Sequence, residues 1–198
     1  MTEKPLSFSQ AAHEIRDADL LLFRGHAAVS EVIRVAGRSL HSHAGKAAWV
    51  RDILGRPRIL YCIDTIEGVG GRALPLETLV RSYPGSIDVF RTNPERIAGY
   101  DRTGSVLWSW QNLPGTPYGK RGIGRIARQH LPILRWFFPP SHDDDLPPDA
   151  DLFCSEAVSA ADRLGGHHDP VPNLSDRDTE PGDLERSEFY AYLFTLTE

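Results

Sequence analysis

The chain has 198 residues, 40% of them hydrophobic and 25% charged, with 17 glycines and 15 prolines. Those proportions exclude a largely disordered or low-complexity chain and suit one domain, residues 1–198, with a core of its own. A formal charge of −5 gives no overall pull towards a phosphate backbone, so nucleic acid is not an expected partner. No apolar run approaches the roughly 18 residues of a membrane span, and no apolar stretch follows a basic start at the N-terminus. The expectation is a cytoplasmic chain without stable membrane insertion. Two cysteines, Cys62 and Cys154, are too few for a disulfide framework and read as free thiols.

Residues 8–17 read as a short helix capped by Ser7 or Ser9. The apolar run Leu20-Leu21-Leu22-Phe23 after Asp19 reads as a buried strand ending at Arg24-Gly25. Residues 30–36 read as a helix with Ser30 as cap and Gly37 beyond its end. His43–Val50 and Arg58–Thr65 are strand candidates separated by turn chemistry at Gly55 and Pro57, so they form an antiparallel hairpin. Residues 75–80 read as a helix opened by Pro75, and 86–91 as a strand. Asn93-Pro94 reads as the start of a helix running towards Leu113, weakened by Gly99 and Gly104. The basic, apolar stretch 121–137 reads as helical on either side of Pro132, and 139–151 as a Pro- and Asp-rich loop. Cys154–Leu164 reads as a helix stopped by Gly165-Gly166, 167–187 as mostly loop, and the C-terminal residues as a strand.

Cys154 opens its helix. A thiol there meets the positive end of the helix dipole and unpaired backbone N–H groups, which stabilise a thiolate and can donate to a developing oxyanion. Taken by itself the residue also reads as a small buried thiol. A thiolate nucleophile usually works with a base. With a four-residue loop, Asp52–Gly55, the hairpin sets His43 opposite Asp64, Ala44 opposite Ile63 and Gly45 opposite Cys62. A carboxylate beside the imidazole would fix its tautomer and stabilise the imidazolium. Alone, His43 also reads as a strand-edge histidine and Asp64 as a solvated strand-end carboxylate. The register depends on the loop length, since a one-residue slip turns a strand over. Cys62 reads as a core thiol, with a resolving thiol or a disulfide partner of Cys154 as alternatives.

The ordered segments Asp19–Gly25, Ser42-His43-Ala44-Gly45, Ile63-Asp64-Thr65 and Phe153-Cys154-Ser155-Glu156-Ala157-Val158, with Pro181-Gly182-Asp183-Leu184 near the end, resemble the permuted papain-like amidases. These are the YiiX/YebB-like branch of the NlpC-type cysteine peptidases, related in layout to lecithin:retinol acyltransferase. Their His motif precedes the Cys motif, as here. The resemblance implies an α+β, circularly permuted papain-like fold, an antiparallel sheet or small barrel packed against helices. It implies Cys154 as nucleophile, His43 as base and Asp64 as orienting residue, although the family often has Glu at that position. Tyr118 and Ser155 are carried as binding residues, and Lys46 departs from the family's usual apolar strand residue. The implied activity is cleavage of an amide bond through a thioester. A small peptide, a peptidoglycan-type peptide or an acyl-amide or lipid would be the substrate, and no cofactor is implied.

Three alternatives stand beside that reading. One is a lipid acyltransferase or esterase on the same site. Another is a metal-dependent hydrolase using His41 and His43, with His142-Asp143-Asp144-Asp145 or His167-His168-Asp169 as further ligands; no pair has HExxH spacing. The last is a binding module that has lost its activity. Oligomeric state and substrate identity are left open.

Overall fold

The computed structural model describes residues 4–25, 39–94, 97–119 and 152–198. The expected helix at 30–36, the basic stretch 121–137 and the Pro/Asp-rich loop lie outside those residues.

The architecture is α+β, built on one seven-stranded sheet. Its strands are β1 (Pro5–Ser7), β2 (Leu20–Gly25), β3 (His43–Arg51), β4 (Pro57–Ile66), β5 (Gly70–Pro75), β6 (Gly85–Thr92) and β7 (Tyr190–Thr197). Across the sheet they run β1-β7-β6-β2-β3-β4-β5. Among these seven strands only the β1–β7 pair is parallel. The α-helices among the described residues are α1 (Phe8–Ala11), α2 (Leu76–Ser82), α3 (Arg102–Asn112), α4 (Cys154–Ala160) and α5 (Pro181–Arg186).

The sheet is covered on both faces, which explains why β2 is apolar at consecutive positions rather than alternate ones. Leu21 and Phe23 join Leu60, Cys62, Ile87 and Val89 under Ala11 of α1 and Leu76, Leu79 and Val80 of α2. Leu20 and Leu22, on the other face, meet Val158 of α4 and Leu184 of α5. Ala48 and Ile63 lie beside them against Val106 of α3 and Ala157 of α4. The helix carrying Cys154 therefore packs over β3 and β4, the strands that carry His43 and Asp64.

Several local expectations change. The first helix is short because its capping stops after one turn: the Gln10 side chain accepts from Ser7 N at 3.1 Å, and the chain then tightens over Ala12–Glu14. Asn93-Pro94 does not open α3. Asp101 caps it, accepting from Gly104 N at 2.9 Å, after a turn at Gly99 with φ +81°. Beyond Ala160, α4 widens into a π turn over Ala161–Gly165. The stretch 167–187, expected to be mostly loop, contains α5, with Pro181 at its first turn. β1 and β5 were not expected from the sequence. β1 has three residues, and β5 begins Gly-Gly, which gives no alternating apolar signal.

Candidate active site

The hairpin that carries His43 and Asp64 is offset by two residues from the expected register. Gly45, not His43, lies opposite Asp64, and Ala47 lies opposite Cys62. The offset has two causes. Asp52 N bonds to Arg56 O at 2.9 Å, so the loop has five residues, Asp52–Arg56, with Arg51 opposite Pro57. The pairing then shifts once more between Arg51–Pro57 and Val50–Ile59, leaving Arg58 as a bulge. Each shift alone would have turned one strand over; together they restore the face. His43 and Asp64 are thus diagonal neighbours on one face, a separation that a long ring can span. Gly45 between them carries no side chain to intervene. The contact is short, His43 Nε2 to Asp64 Oδ2 at 2.8 Å.

Cys154 is the first helical residue of α4, with Phe153 as N-cap. The Glu156 side chain reaches back to Phe153 N at 3.4 Å, which fixes the approach of the chain to the helix. Cys154 is 1% exposed and its thiol is free. Its sulfur lies close enough to the His43 ring to act on the ring's charge. The ring thus bonds Asp64 and has the Cys154 sulfur as its other charged neighbour. Burial works against a charged imidazole, but the sulfur and the carboxylate overcome it and push the His43 pKa up to about 10. Phe23 packs against the ring with centroids 4.9 Å apart.

Tyr118 lies beside the residues that lead into Cys154. A single bridge between Tyr118 and Leu152 brings it alongside the start of α4, and its ring meets Phe153 with centroids 5.8 Å apart. Burial, then the proximity of Cys154 and Glu67, raises its hydroxyl pKa, so the phenol keeps its proton. Ser155 is fully buried, and its hydroxyl donates to Thr179 O at 2.6 Å. That bond fastens α4 to the segment before α5. Cys62 is also a buried free thiol, its pKa raised by burial, within the core under α1 and α2.

Two partners of the site have no motif in the sequence. Arg72 on β5 lies directly opposite Asp64 and grips both its oxygens, Nε to Oδ1 at 2.8 Å and an Nη to Oδ2 at 3.1 Å. Burial would raise the Asp64 carboxyl, but His43 and Arg72 hold it below its ordinary value. The turn residues Glu67-Gly68-Val69 before β5 were the available signal, because a second hairpin there sets Arg72 against Asp64. Lys46, the departure from the family pattern, is completely buried on β3, and its ammonium meets Asp162 at 2.7 Å. Tyr100, Tyr190 and Ser105 also donate to Asp162. Burial lowers the Lys46 pKa while Asp162 opposes the shift. The pair joins the strand of His43 to the continuation of the Cys154 helix.

His41 and His43 do not form a common ligand pair. His41 precedes β3 and is 2% exposed; its Nε2 meets Asp88 at 2.7 Å and its Nδ1 meets Glu185 at 3.1 Å. His168 bonds Gly166 O at 3.3 Å, and Asp169 accepts from Val171 N at 2.8 Å, both local turn contacts. Among the described residues, no group of three or more His, Cys, Asp or Glu side chains is arranged to hold a metal ion. His142 and the aspartates after it lie outside those residues. No described helix is long and apolar enough to cross a membrane.

No family model matches the chain, and no curated protein matches it. Among solved structures, it is similar to metalloprotein yiiX from Escherichia coli O157:H7. The identity is 14%, the match covers 92% of this chain and 98% of that one, and the TM-score is 0.60. The two chains share a fold over nearly their whole lengths.

Proposed function

We propose that the chain is a cysteine hydrolase that cleaves an amide bond, with Cys154 as nucleophile, His43 as general base and acid, and Asp64 as the residue that orients His43. One observation carries this reading: a single imidazole bonds a buried carboxylate and lies within the electrostatic reach of a helix-opening thiol. Asp64 occupies Nε2, which leaves Nδ1 for the sulfur and for the proton it exchanges. A sulfur beside an imidazolium reacts as thiolate.

The sulfur attacks the substrate carbonyl carbon. The oxyanion that forms is met by unpaired N–H groups at the start of α4 and by the protonated Tyr118 hydroxyl. His43 gives its proton to the departing amine as the C–N bond breaks, leaving a thioester. It then takes a proton from water, whose oxygen attacks the thioester and releases the acid and the thiolate. Arg72 and the Lys46–Asp162 pair touch no reacting atom; they hold Asp64 ionised and the strand against the helix. The word metalloprotein belongs to the neighbour. His41 and His43 are each engaged by a carboxylate here, and no step is routed through a metal.

Intact-mass analysis of the protein after incubation with a library of peptide and acyl-amide substrates tests the proposal. The expected result is an acyl adduct on Cys154 in the wild-type protein that is much reduced when His43 is replaced by Ala and absent in Cys154→Ala. Iodoacetamide should modify the wild-type protein once, at Cys154, because its sulfur has the His43 ring as neighbour whereas burial pushes the Cys62 thiol up. Undiminished turnover by folded Cys154→Ala would refute the reading.

A further inference from the structure

The β3–β4 hairpin extends beyond the sheet that holds its base. β2 pairs with β3 only over His43–Lys46, and β5 pairs with β4 only over Tyr61–Ile66. The segment at Asp17 and Ala18 braces Ala47 and Trp49, through Ala18 N to Ala47 O at 2.8 Å and Trp49 N to Asp17 Oδ1 at 2.6 Å. From Val50 to Ile59 the two strands continue as an arm beyond their backbone partners, tied to the body through Arg51 and Asp17.

The tip of this arm is apolar without a structural need to be. Asp52 and Gly55 make the turn. The Asp52 carboxylate accepts from Leu54 N at 2.9 Å and Arg56 N at 3.0 Å, Gly55 N bonds Asp52 O at 2.9 Å, and Gly55 adopts φ +76°. The two residues between them need no particular side chain for that geometry, yet they are Ile53, 101% exposed, and Leu54, 69% exposed. Val50 and Ile59, paired across the strands behind them, are also exposed. This apolar strip is flanked by guanidinium groups. Arg56 and Arg58 share the tucked carboxylate of Asp52, and Arg51 meets Asp17. At the base of the arm, His13, Arg16, Asp17, Trp49, Arg51 and Arg102 line an open cavity of about 630 Å³. Arg16, Arg51, Arg56 and Arg58 stand against two carboxylates, Asp17 and Asp52, so this end is locally positive in a chain whose formal charge is −5.

We propose that this arm docks the protein on an anionic lipid bilayer. Ile53 and Leu54 enter the boundary between headgroups and acyl chains, and the arginines engage lipid phosphates, one of them in the cavity at the arm's base. A narrow convex tip offers too little area for a standard protein interface, which buries about 800 Å² per partner. A bilayer accepts such a tip without a matching recess, and an anionic surface attracts nearby Lys and Arg. The arm leaves the sheet at the end of β3 opposite His43. Eight residues of strand, at about 3.3 Å each, hold the catalytic groups roughly 26 Å from Arg51, so docking leaves the active site facing water.

Co-sedimentation of the full chain with phosphatidylcholine vesicles, with and without phosphatidylserine, tests the proposal. The expected result is binding to the phosphatidylserine vesicles that weakens as salt rises and is much poorer with phosphatidylcholine alone. The double variant Ile53→Asp/Leu54→Ser should lower that binding by about tenfold or more. Arg16→Glu, on the cavity wall, should lower it as well. Both variants should melt and react with iodoacetamide as the wild-type chain does, because neither touches the core or the site. Four outcomes would overturn it: no binding to phosphatidylserine vesicles, binding that the tip variant leaves unchanged, inorganic phosphate bound without any vesicle binding, or a dimer that the tip variant converts to monomer.

Discussion

At the scale of single residues, the site is governed by the proton on His43. Asp64 and Cys154 favour the charged ring against a burial that disfavours it, and the balance leaves the pKa near 10. The sign of each contribution is testable. Asp64→Asn removes a negative neighbour and Cys154→Ala removes the sulfur, so each should lower the His43 pKa towards its ordinary value of 6.5. An NMR titration of the His43 ring reads this directly, with the wild-type midpoint expected near 10. A wild-type midpoint near 6.5 would show that neither partner holds the proton. His43→Ala should reduce turnover by about 10²–10⁴-fold, the usual contribution of a positioned acid–base group.

At the scale of elements, the site depends on how β3 meets β4 and α4. Gly45 is the close approach within the hairpin, where an added Cβ would come within 2.7 Å of Cys62 Sγ and 3.2 Å of Asp64 Cβ. Gly45→Ala is expected to destabilise the protein by about 1–3 kcal/mol, the range for overpacking, and to lower the His43 pKa by displacing Asp64. Adding Cys62→Ala should recover part of the stability, which urea unfolding of the single and double variants measures. Lys46 and Asp162 join β3 to the π turn after α4 from within the core. Lys46→Met leaves the Asp162 carboxylate buried without its cation and should destabilise by about 3–5 kcal/mol. In a chain of this length that is a fall of roughly 2–4 °C in melting temperature per kcal/mol. A loss of under about 1 kcal/mol would show that the tyrosines and Ser105 alone suffice for Asp162.

At the scale of the molecule, His41 connects two distant parts of the chain. Its ring joins Asp88 on β6 to Glu185 on α5, and these two carboxylates raise its pKa despite burial. A histidine whose folded pKa lies above its unfolded value stabilises the fold fully below the unfolded value, and loses that contribution as pH rises through the folded one. His41 and His43 both have raised values, so both act in this direction. The melting temperature should therefore decline as pH rises from about 6.5 towards 10, and His41→Gln should flatten the slope. A slope unchanged in that variant would remove His41 from the account.

The sequence by itself determined much of this protein. The buried run of β2 and the strands around Gly55 follow from local pattern, and the β-formers of the last residues read as β7. The pairing of His43 with Asp64 was legible in parity, because two successive one-residue shifts leave the same side chains on the same face. Its true register was not legible, since a five-residue loop and a bulge at Arg58 differ from a four-residue loop by bond patterns that composition does not encode. Arg72, Lys46 and His41 were decided by tertiary structure alone. Each is a charged side chain whose role is set by a carboxylate on another strand or helix, eight to 144 residues away. Local propensity acts over a few residues, whereas burial and charge pairing act between whatever surfaces the fold brings together.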